Sequence, residues 1–262
     1  MMGALAPLER FRTIGLDDLV ARAEMLTRLD RKYLLTTAQA EEFLLRLDPS
    51  TEALQIDGAL AARYESVYFD TSDWMSFRMS AHQRRVRMKV RTRTYVDSEL
   101  TFLEVKSRGG SGVTVKERIP YEGGRERLTI DARAYLADAA TRLGLCGGLA
   151  YELFPVIRTT YDRSTLLAPD GVGRVTVDTD LAWRLPDGSS LDLPDLVIVE
   201  TKSLSATSVV DRLLWRAGHR PVPVSKFATG LAALNPDLPC NRWARILRRP
   251  FAARTPELAA AA

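Results

Sequence analysis

From Arg85 to Arg93 every second residue is a lysine or an arginine: Arg85, Arg87, Lys89, Arg91 and Arg93 alternate with Val86, Met88, Val90 and Thr92. A period of two is the mark of an extended strand whose side chains point to opposite faces, so one face of this segment carries an unbroken cationic row. Side chains two apart on a strand lie roughly 7 Å from one another, and arginines at that spacing repel unless water or an anion screens them. Similar alternation recurs downstream. Glu104, Lys106 and Arg108 oppose Leu103 and Val105, and Lys116 and Arg118 oppose Val115 and Ile119. In the second half Arg174, Asp178 and Asp180 oppose Val175 and Val177, while Glu200 and Lys202 oppose Val197 and Val199. Two readings stand open. The ionic residues form the solvated side of a sheet, or they line the inside of a closed or nearly closed barrel that holds a polyanion and a metal ion. The density of one sign favours the second.

Period-two segments predict strands near 63–69, 85–95, 101–107, 113–121, 156–167, 172–183 and 194–202. The Ser107 to Gly112 stretch and Pro186-Asp187-Gly188 read as turns between strands, which implies hairpins and an antiparallel sheet. Thr36-x-x-Gln39 reads as a capping box opening a helix through Phe43, Leu44 and Leu47 that stops before Pro49. A second helix is expected over 133–143. A third is capped by Ser205 or Thr207, carries Val209, Val210, Leu213, Leu214 and Ala217 on one face, and ends at Gly218 before Pro221. A fourth follows Lys226. One domain over 28–235 is expected, with 1–27 and 236–262 peripheral to it.

Composition adds bounds. A formal net charge of +4 and a pI near 9.2 permit an anionic partner without selecting one. Cys146 and Cys240 form no C-x-x-C pair and give no sign of a disulfide framework, which fits a reducing compartment. The first residues lack a basic segment followed by an apolar one, and no stretch approaches the roughly 20 apolar residues of a bilayer span; a cytoplasmic location is expected. His82 and His219 lack metal-ligand spacing. Gly109, Gly110 and Gly112 complete no phosphate-binding loop motif, nor does Ser111 complete a nucleophile elbow. The tryptophans at 74, 183, 215 and 243 are expected to anchor packing.

Short motifs in a definite order run through most of the chain: R-L-D-R-K-Y-L-L (28–35), Y-F-D-T (68–71), K-V-R-T-R-T-Y (89–95), F-L-E-V-K-S (102–107), V-K-E-R (115–118), Y-D-R (161–163), R-V-T-V-D-T-D-L (174–181), V-E-T-K (199–202) and V-S-K-F (224–227). Together they resemble the VTC domain of polyphosphate polymerases, within the CYTH or triphosphate tunnel metalloenzyme superfamily. The resemblance implies an α+β fold, an antiparallel eight-stranded β-barrel or triphosphate tunnel with helices packed outside. It implies phosphate contacts from Lys32, Arg91, Arg93, Lys106, Lys116, Arg163 and Arg174, with Glu200 holding Mn²⁺ or Mg²⁺ and Lys226 near the tunnel end. Arg118 and Lys202, on the same charged faces, join Lys226 as candidate substrate-binding residues. Arg163 lies on the opposite parity from Arg158, so its use there requires a bulge or a strand with a different alternation. Two departures stand out. The E-x-E-x-K signature of the superfamily reads Arg28-x-Asp30-x-Lys32 here, which leaves Asp30 as an acid near the metal, and a lysine expected three residues before Lys226 is Pro223.

The activity this implies is transfer of the ATP γ-phosphate to a growing polyphosphate chain, with ATP and inorganic polyphosphate as partners. Coupling to transport would need a separate membrane partner. The alternatives are a metal-dependent triphosphatase of the same fold and a non-catalytic polyphosphate-binding module. Nucleic acid is not expected, because the cationic row contains no interleaved aromatic before Tyr95 on which bases could stack. Glu104 is expected to neutralise Lys106, whereas Glu200 is read as a metal ligand against the plainer reading that it neutralises Lys202. The repeated Glu-x-Lys-Ser, at 104–107 and 200–203, hints at two related halves.

Overall fold

The alternation in the sequence is realised as antiparallel ladders whose apolar side is covered by helices. The computed structural model describes residues 4–22, 29–170, 173–203 and 207–251. Arg28 and Ser205 lie outside the described residues. In chain order the elements are β1 (Arg12–Ile14), α1 (Leu16–Arg22), β2 (Leu29–Thr36), α2 (Thr37–Leu45), β3 (Glu52–Leu54), β4 (Ala62–Asp70), α3 (Met75–Ala81), β5 (Arg87–Tyr95), β6 (Leu100–Arg108), β7 (Thr114–Pro120), α4 (Ile130–Arg142), α5 (Leu149–Glu152), β8 (Phe154–Leu167), β9 (Arg174–Arg184), β10 (Ser190–Leu193), β11 (Leu196–Ser203), α6 (Val209–Arg216), α7 (Lys226–Leu234) and α8 (Ala244–Leu247). The chain divides into two compact units, residues 1–63, 161–181 and 192–224 in the first and 64–160, 182–191 and 225–262 in the second.

In the first unit the hydrogen-bonded order is β2-β11-β9-β8, and β3 pairs in parallel with β1 and antiparallel with the end of β8. Tyr33, Leu35, Val175, Val177, Val197 and Val199 form the apolar face. Phe43 and Leu44 of α2 and Val210 and Leu214 of α6 pack on it. Fully burying side chains of this size contributes about 1.5–3 kcal/mol each. The Thr36 and Gln39 capping box opens α2 as its sequence predicts. Helix α6 is capped by Ser208 rather than by Thr207, because Asp211 at the third helical position completes a capping box with it. The buried Asp211 carboxylate also accepts hydrogen bonds from Tyr33 Oη and Thr201 Oγ1, each at 2.7 Å, and from Arg31 Nη1 at 3.2 Å. Its burial opposes ionisation, but the hydrogen bonds from Thr201, Tyr33 and Ser208 outweigh it and hold its pKa low.

That network explains why β2 is not among the strands predicted. Arg31 lies on the face toward the core, where an arginine hides the apolar alternation until its buried partner is known. Leu5, Leu8 and Phe11 of the N-terminal segment belong to the same core.

In the second unit the order is β8-β4-β5-β6-β7. Counting β8 once, the main path runs through eight strands, with β1, β3 and β10 off it, and among the described residues its end strands β2 and β7 are not hydrogen-bonded to each other, so the expected barrel is not closed by hydrogen bonds. Val67, Phe69, Met88, Val90, Leu103 and Val105 form the apolar face, covered by α4 through Leu136, Ala139 and Ala140 and by Leu149 and Ala150 of α5. Strand β5 begins at Arg87, so Arg85 falls in the bend before it. Helix α3 is absent from the sequence reading because its anchor lies at the end of β4, ahead of the helix and outside the usual capping spacing. The Asp70 carboxylate, fully buried, accepts backbone N–H bonds from Thr71, Ser76 and Phe77 at 2.8–2.9 Å, which explains the aspartate in Tyr-Phe-Asp-Thr. Near the C-terminus Trp243 packs on Phe77 and Phe251 on Trp183, with ring centroids 5.7 and 5.4 Å apart. Among the described residues no helix is long and apolar enough to cross a membrane.

Candidate functional site

In the second unit, strand register decides which charged residues meet. Tyr68, Arg91, Glu104 and Arg118 are successive cross-strand partners on β4, β5, β6 and β7. Ser66, Arg93, Phe102 and Pro120 form the next row, and Lys89, Lys106 and Lys116 the row on the other side. Directly opposed residues share a face, so these rows build one polar surface. At its centre is Glu104, 2% exposed. Arg91 donates to its Oε2 through Nε at 2.7 Å and also through Nη2. Lys116 Nζ lies 2.9 Å and Arg93 Nη1 3.8 Å from its Oε1.

The electrostatics follow from that crowding. Burial alone would raise the Glu104 pKa, but Arg91, Arg93 and Lys116 outweigh it and hold the carboxylate well below its usual range. Lys116 keeps 41% of its side chain exposed, yet partial desolvation together with the two arginines pushes the ammonium down to about 8 against the pull of Glu104. The expected pairing of Glu104 with Lys106 is not what forms. Neighbours two apart on a strand are farther from each other than residues meeting across the ladder, so Glu104 is paired by β5 and β7 instead.

Neighbouring groups orient the arginines. Arg91 Nη1 donates to the Tyr68 hydroxyl at 2.8 Å, and Tyr68 stacks on Phe227 at 5.0 Å. Arg93 Nε lies 3.5 Å from Ser66 Oγ. Lys89 Nζ lies 3.4 Å from Ser225 Oγ and 5.4 Å from the Phe227 ring centre. Ser225 caps α7, whose first residue is Lys226. Trp183 Nε1 donates to the Lys226 carbonyl at 2.7 Å, and Gly230 makes room for that indole, since a Cβ there would lie 2.2 Å from it. Lys106 is exposed, and Arg118, also exposed, lies over Phe102 at 5.1 Å.

The first unit carries a second polar face of different character. Lys32, Glu200 and Thr176 are cross-strand partners on β2, β11 and β9, and so are Asp30, Lys202 and Arg174 in the next row. Lys202 Nζ lies 3.5 Å from Glu200 Oε1. Arg163 donates to both oxygens of the buried Asp178, at 2.6 and 2.8 Å, a bidentate pair of the strong kind. Burial disfavours the charge on Arg163, yet Asp178 in first place raises its pKa well above the ordinary value. The parity conflict at Arg163 is resolved by broken alternation along β8, where Tyr161 and Asp162 are both buried. Asp180, expected to share a face with Asp178, instead takes a left-handed conformation at φ 50° and pairs, with Asp162, to Arg63.

Among the described residues no group of three His, Cys, Asp or Glu side chains could hold a metal. Glu200, flanked by Lys202 and opposite Lys32, offers a single carboxylate. That donor fits a hard cation such as Mg²⁺ or Mn²⁺ only when phosphate oxygens and water complete its shell.

The sequence reading missed Tyr68, Ser66 and Asp178 as partners of the arginines and treated Glu104 as a local counterion. Tyr68 belongs to the Tyr-Phe-Asp-Thr motif, and motif membership is the signal the sequence offers for it. Glu104 and Asp178 needed register to be found.

The fold and these faces define an α+β protein built on antiparallel ladders, with strand faces rich in arginine and lysine. The VTC domain family model matches residues 27–235, and the chain belongs to that family. No curated protein matches by sequence. Among solved structures, a candidate adenylate cyclase from Bacillus halodurans is 15% identical, covers 78% of this chain and 96% of its own, and superposes with a TM-score of 0.50, which shows a common fold. A candidate adenylyl cyclase from Hippeastrum, described as having a dominant triphosphatase activity, is 16% identical over 78% of this chain and 94% of its own, with a TM-score of 0.47. A conserved protein from Pyrococcus furiosus is 12% identical over 73% and 88%, with a TM-score of 0.38.

Proposed function

We propose that this chain transfers the γ-phosphoryl group of ATP to the terminal phosphate of a polyphosphate chain. The observation that carries the reading is the cationic surplus of the second unit's polar face. There Arg91, Arg93 and Lys116 converge on one buried carboxylate, with Lys89, Lys106 and Arg118 beside them. Membership of the VTC domain family supports it. The acceptor is already an oxyanion, so no general base is needed. A terminal oxygen of the chain attacks the γ-phosphorus, the bond from that phosphorus to the β–γ bridging oxygen breaks, and ADP leaves with its electron pair. Catalysis then reduces to holding repelling anions in line and neutralising the charge on the group in flight.

In this reading Arg91 and Arg93 bind phosphate oxygens through planar guanidinium forks, and Lys106 and Lys116 add point charge. Lys32 and Arg174 are the first unit's phosphate contacts, Arg163 is a positioning residue held by the buried Asp178, and Lys202, Arg118 and Lys226 bind substrate more peripherally. Glu104 is a positioning residue that holds its cations in place. A divalent metal bound with the nucleotide through Glu200 would supply further charge neutralisation.

The test incubates the purified protein with ATP and Mn²⁺ or Mg²⁺ and follows ADP, orthophosphate and long-chain polyphosphate together. Glu200→Gln and Arg91→Ala serve as controls. Metal-dependent polymer that both substitutions abolish is the expected result. Orthophosphate without polymer would replace this reading with a triphosphatase, and tight polyphosphate binding without turnover would leave a binding module.

A further inference from the structure

A cavity of about 370 Å³ lies in the second unit, beyond the residues assigned above, and five of its lining residues are arginines: Arg84, Arg85, Arg87, Arg108 and Arg242. The Gly110 to Gly112 turn between β6 and β7 closes one side. Lining of this kind contains no carboxylate, and among the described residues none of the five arginines forms an ion pair. What holds them is backbone. Arg85 Nη2 donates to the Gly110 carbonyl at 2.6 Å, Arg87 Nη1 to the Arg84 carbonyl at 3.1 Å and Arg242 Nη1 to the Ser80 carbonyl at 2.9 Å. Carbonyls orient a guanidinium without cancelling its charge. Gly112, at φ 82°, takes a turn conformation that residues with a Cβ rarely adopt.

Arg87 and Arg108 are direct cross-strand partners on the face that carries Arg91 and Glu104. Four residues of strand separate Arg87 from Arg91, about 13 Å. The Arg87 guanidinium is pushed down by burial first and then by Arg108 and Arg242, a cost in the ligand-free protein that a bound anion would relieve. The arrangement is charged, preformed and aligned with the phosphate-binding row.

We infer that this arginine cavity is a second anion site that takes the distal phosphates of an inorganic polyphosphate chain, and so selects long chains over triphosphates. The inference rests on the polyphosphate reading above and adds to it a determinant of chain length. The shared chemistry is a flexible polyanion with closely spaced phosphates, so the test includes single-stranded RNA of matched charge.

Binding of tripolyphosphate, long-chain polyphosphate and that RNA is measured on the full chain and on two variants, the combined Arg84→Ala, Arg85→Ala and Arg108→Ala and the single Arg85→Glu. Thermal melts establish that each variant is folded. Three exposed or half-exposed cation contacts predict a loss of about tenfold or more in long-chain affinity, with tripolyphosphate affinity unchanged. The inference is overturned by unchanged long-chain affinity in both variants, by equal losses for both phosphate ligands, or by RNA that binds as tightly and is lost in parallel. If long chains bind through these arginines while ATP gives neither polymer nor orthophosphate, the enzymatic reading fails and the site stands. ATP turnover with long-chain affinity that neither variant moves would give the reverse.

Discussion

Glu-x-Lys-Ser occurs twice, at 104–107 on β6 and at 200–203 on β11, and the two copies have different surroundings. Glu104 is almost fully buried and carries Arg91, Arg93 and Lys116 from the strands on either side. Glu200 keeps its own Lys202 at 3.5 Å, faces Lys32 across the ladder, and lies on a face where Asp30 and Asp178 also balance the cations. The same tetrapeptide is therefore a counterion hub in one unit and a carboxylate beside its own lysine in the other. Neighbouring strands, not the motif, decide what a carboxylate does. A surplus of cations marks an anion receiver, while a nearly balanced face suits a carboxylate that shares a metal with phosphate.

The contrast can be broken most decisively by stability. Arg163→Ala strands the buried Asp178 carboxylate and should cost about 3–5 kcal/mol. Glu104→Ala strands three cations and should cost a similar amount without ligand. Tripolyphosphate should restore part of the melting temperature of the Glu104 variant, by supplying the missing negative charge, and leave the Arg163 variant unrescued. Equal rescue of both would erase the distinction between the units.

Turnover comes next in size. Arg91→Ala should lower kcat for ATP by about 10² to 10³, the typical cost of one transition-state charge donor. Arg118→Ala, at an exposed stacked position, should change KM by less than about fivefold. Similar losses in the two variants would show that the row acts as a diffuse field rather than through its centre.

A pH titration sharpens the comparison further. The Lys116 value of about 8 lies below the ordinary 10.5, so its charge is complete below about pH 8 and is lost as pH rises through that value. Tripolyphosphate affinity should fall by about fivefold above pH 8, and Lys116→Arg should flatten the profile, because arginine stays protonated. Stability carries the opposite sign. The unfolded lysine binds more protons between about 8 and 10.5, so the cost of holding a partly desolvated ammonium beside Arg91 and Arg93 is relieved as pH rises across that window. Glu104 acts at the other end, where its stabilisation is full above about 4.5 and is lost as pH falls below it. The smallest effect is expected for metal alone. Calorimetry with Mn²⁺ and no phosphate should detect weak binding at most, since Glu200 offers one carboxylate among lysines.

Much of this was legible before any coordinates. The strand of Arg87, Lys89, Arg91 and Arg93 shows in its parity because its apolar residues all fall on one side. The capping box at Thr36 and the turns at 107–112 and 186–188 are local chemistry, and the ordered motifs point to the VTC domain family. Less local features were hidden. β2 was obscured by Arg31, whose partner Asp211 is 180 residues away. α3 depends on Asp70, which caps it from the end of β4. Arg163 reaches Asp178 only because alternation fails along β8.

The sequence by itself determined which residues are ionic, which face they take on strands that alternate cleanly such as β5, where the capping-box helix α2 begins and to which family the chain belongs, because these depend on period, on capping within one turn and on motif order. Only the tertiary structure decided that Glu104 answers to Arg91 and Lys116, that Arg163 binds Asp178, and that five arginines gather at one cavity. Sliding a strand by two residues keeps every side chain on its face and changes every neighbour, so a pattern of period two cannot by itself specify which charges meet.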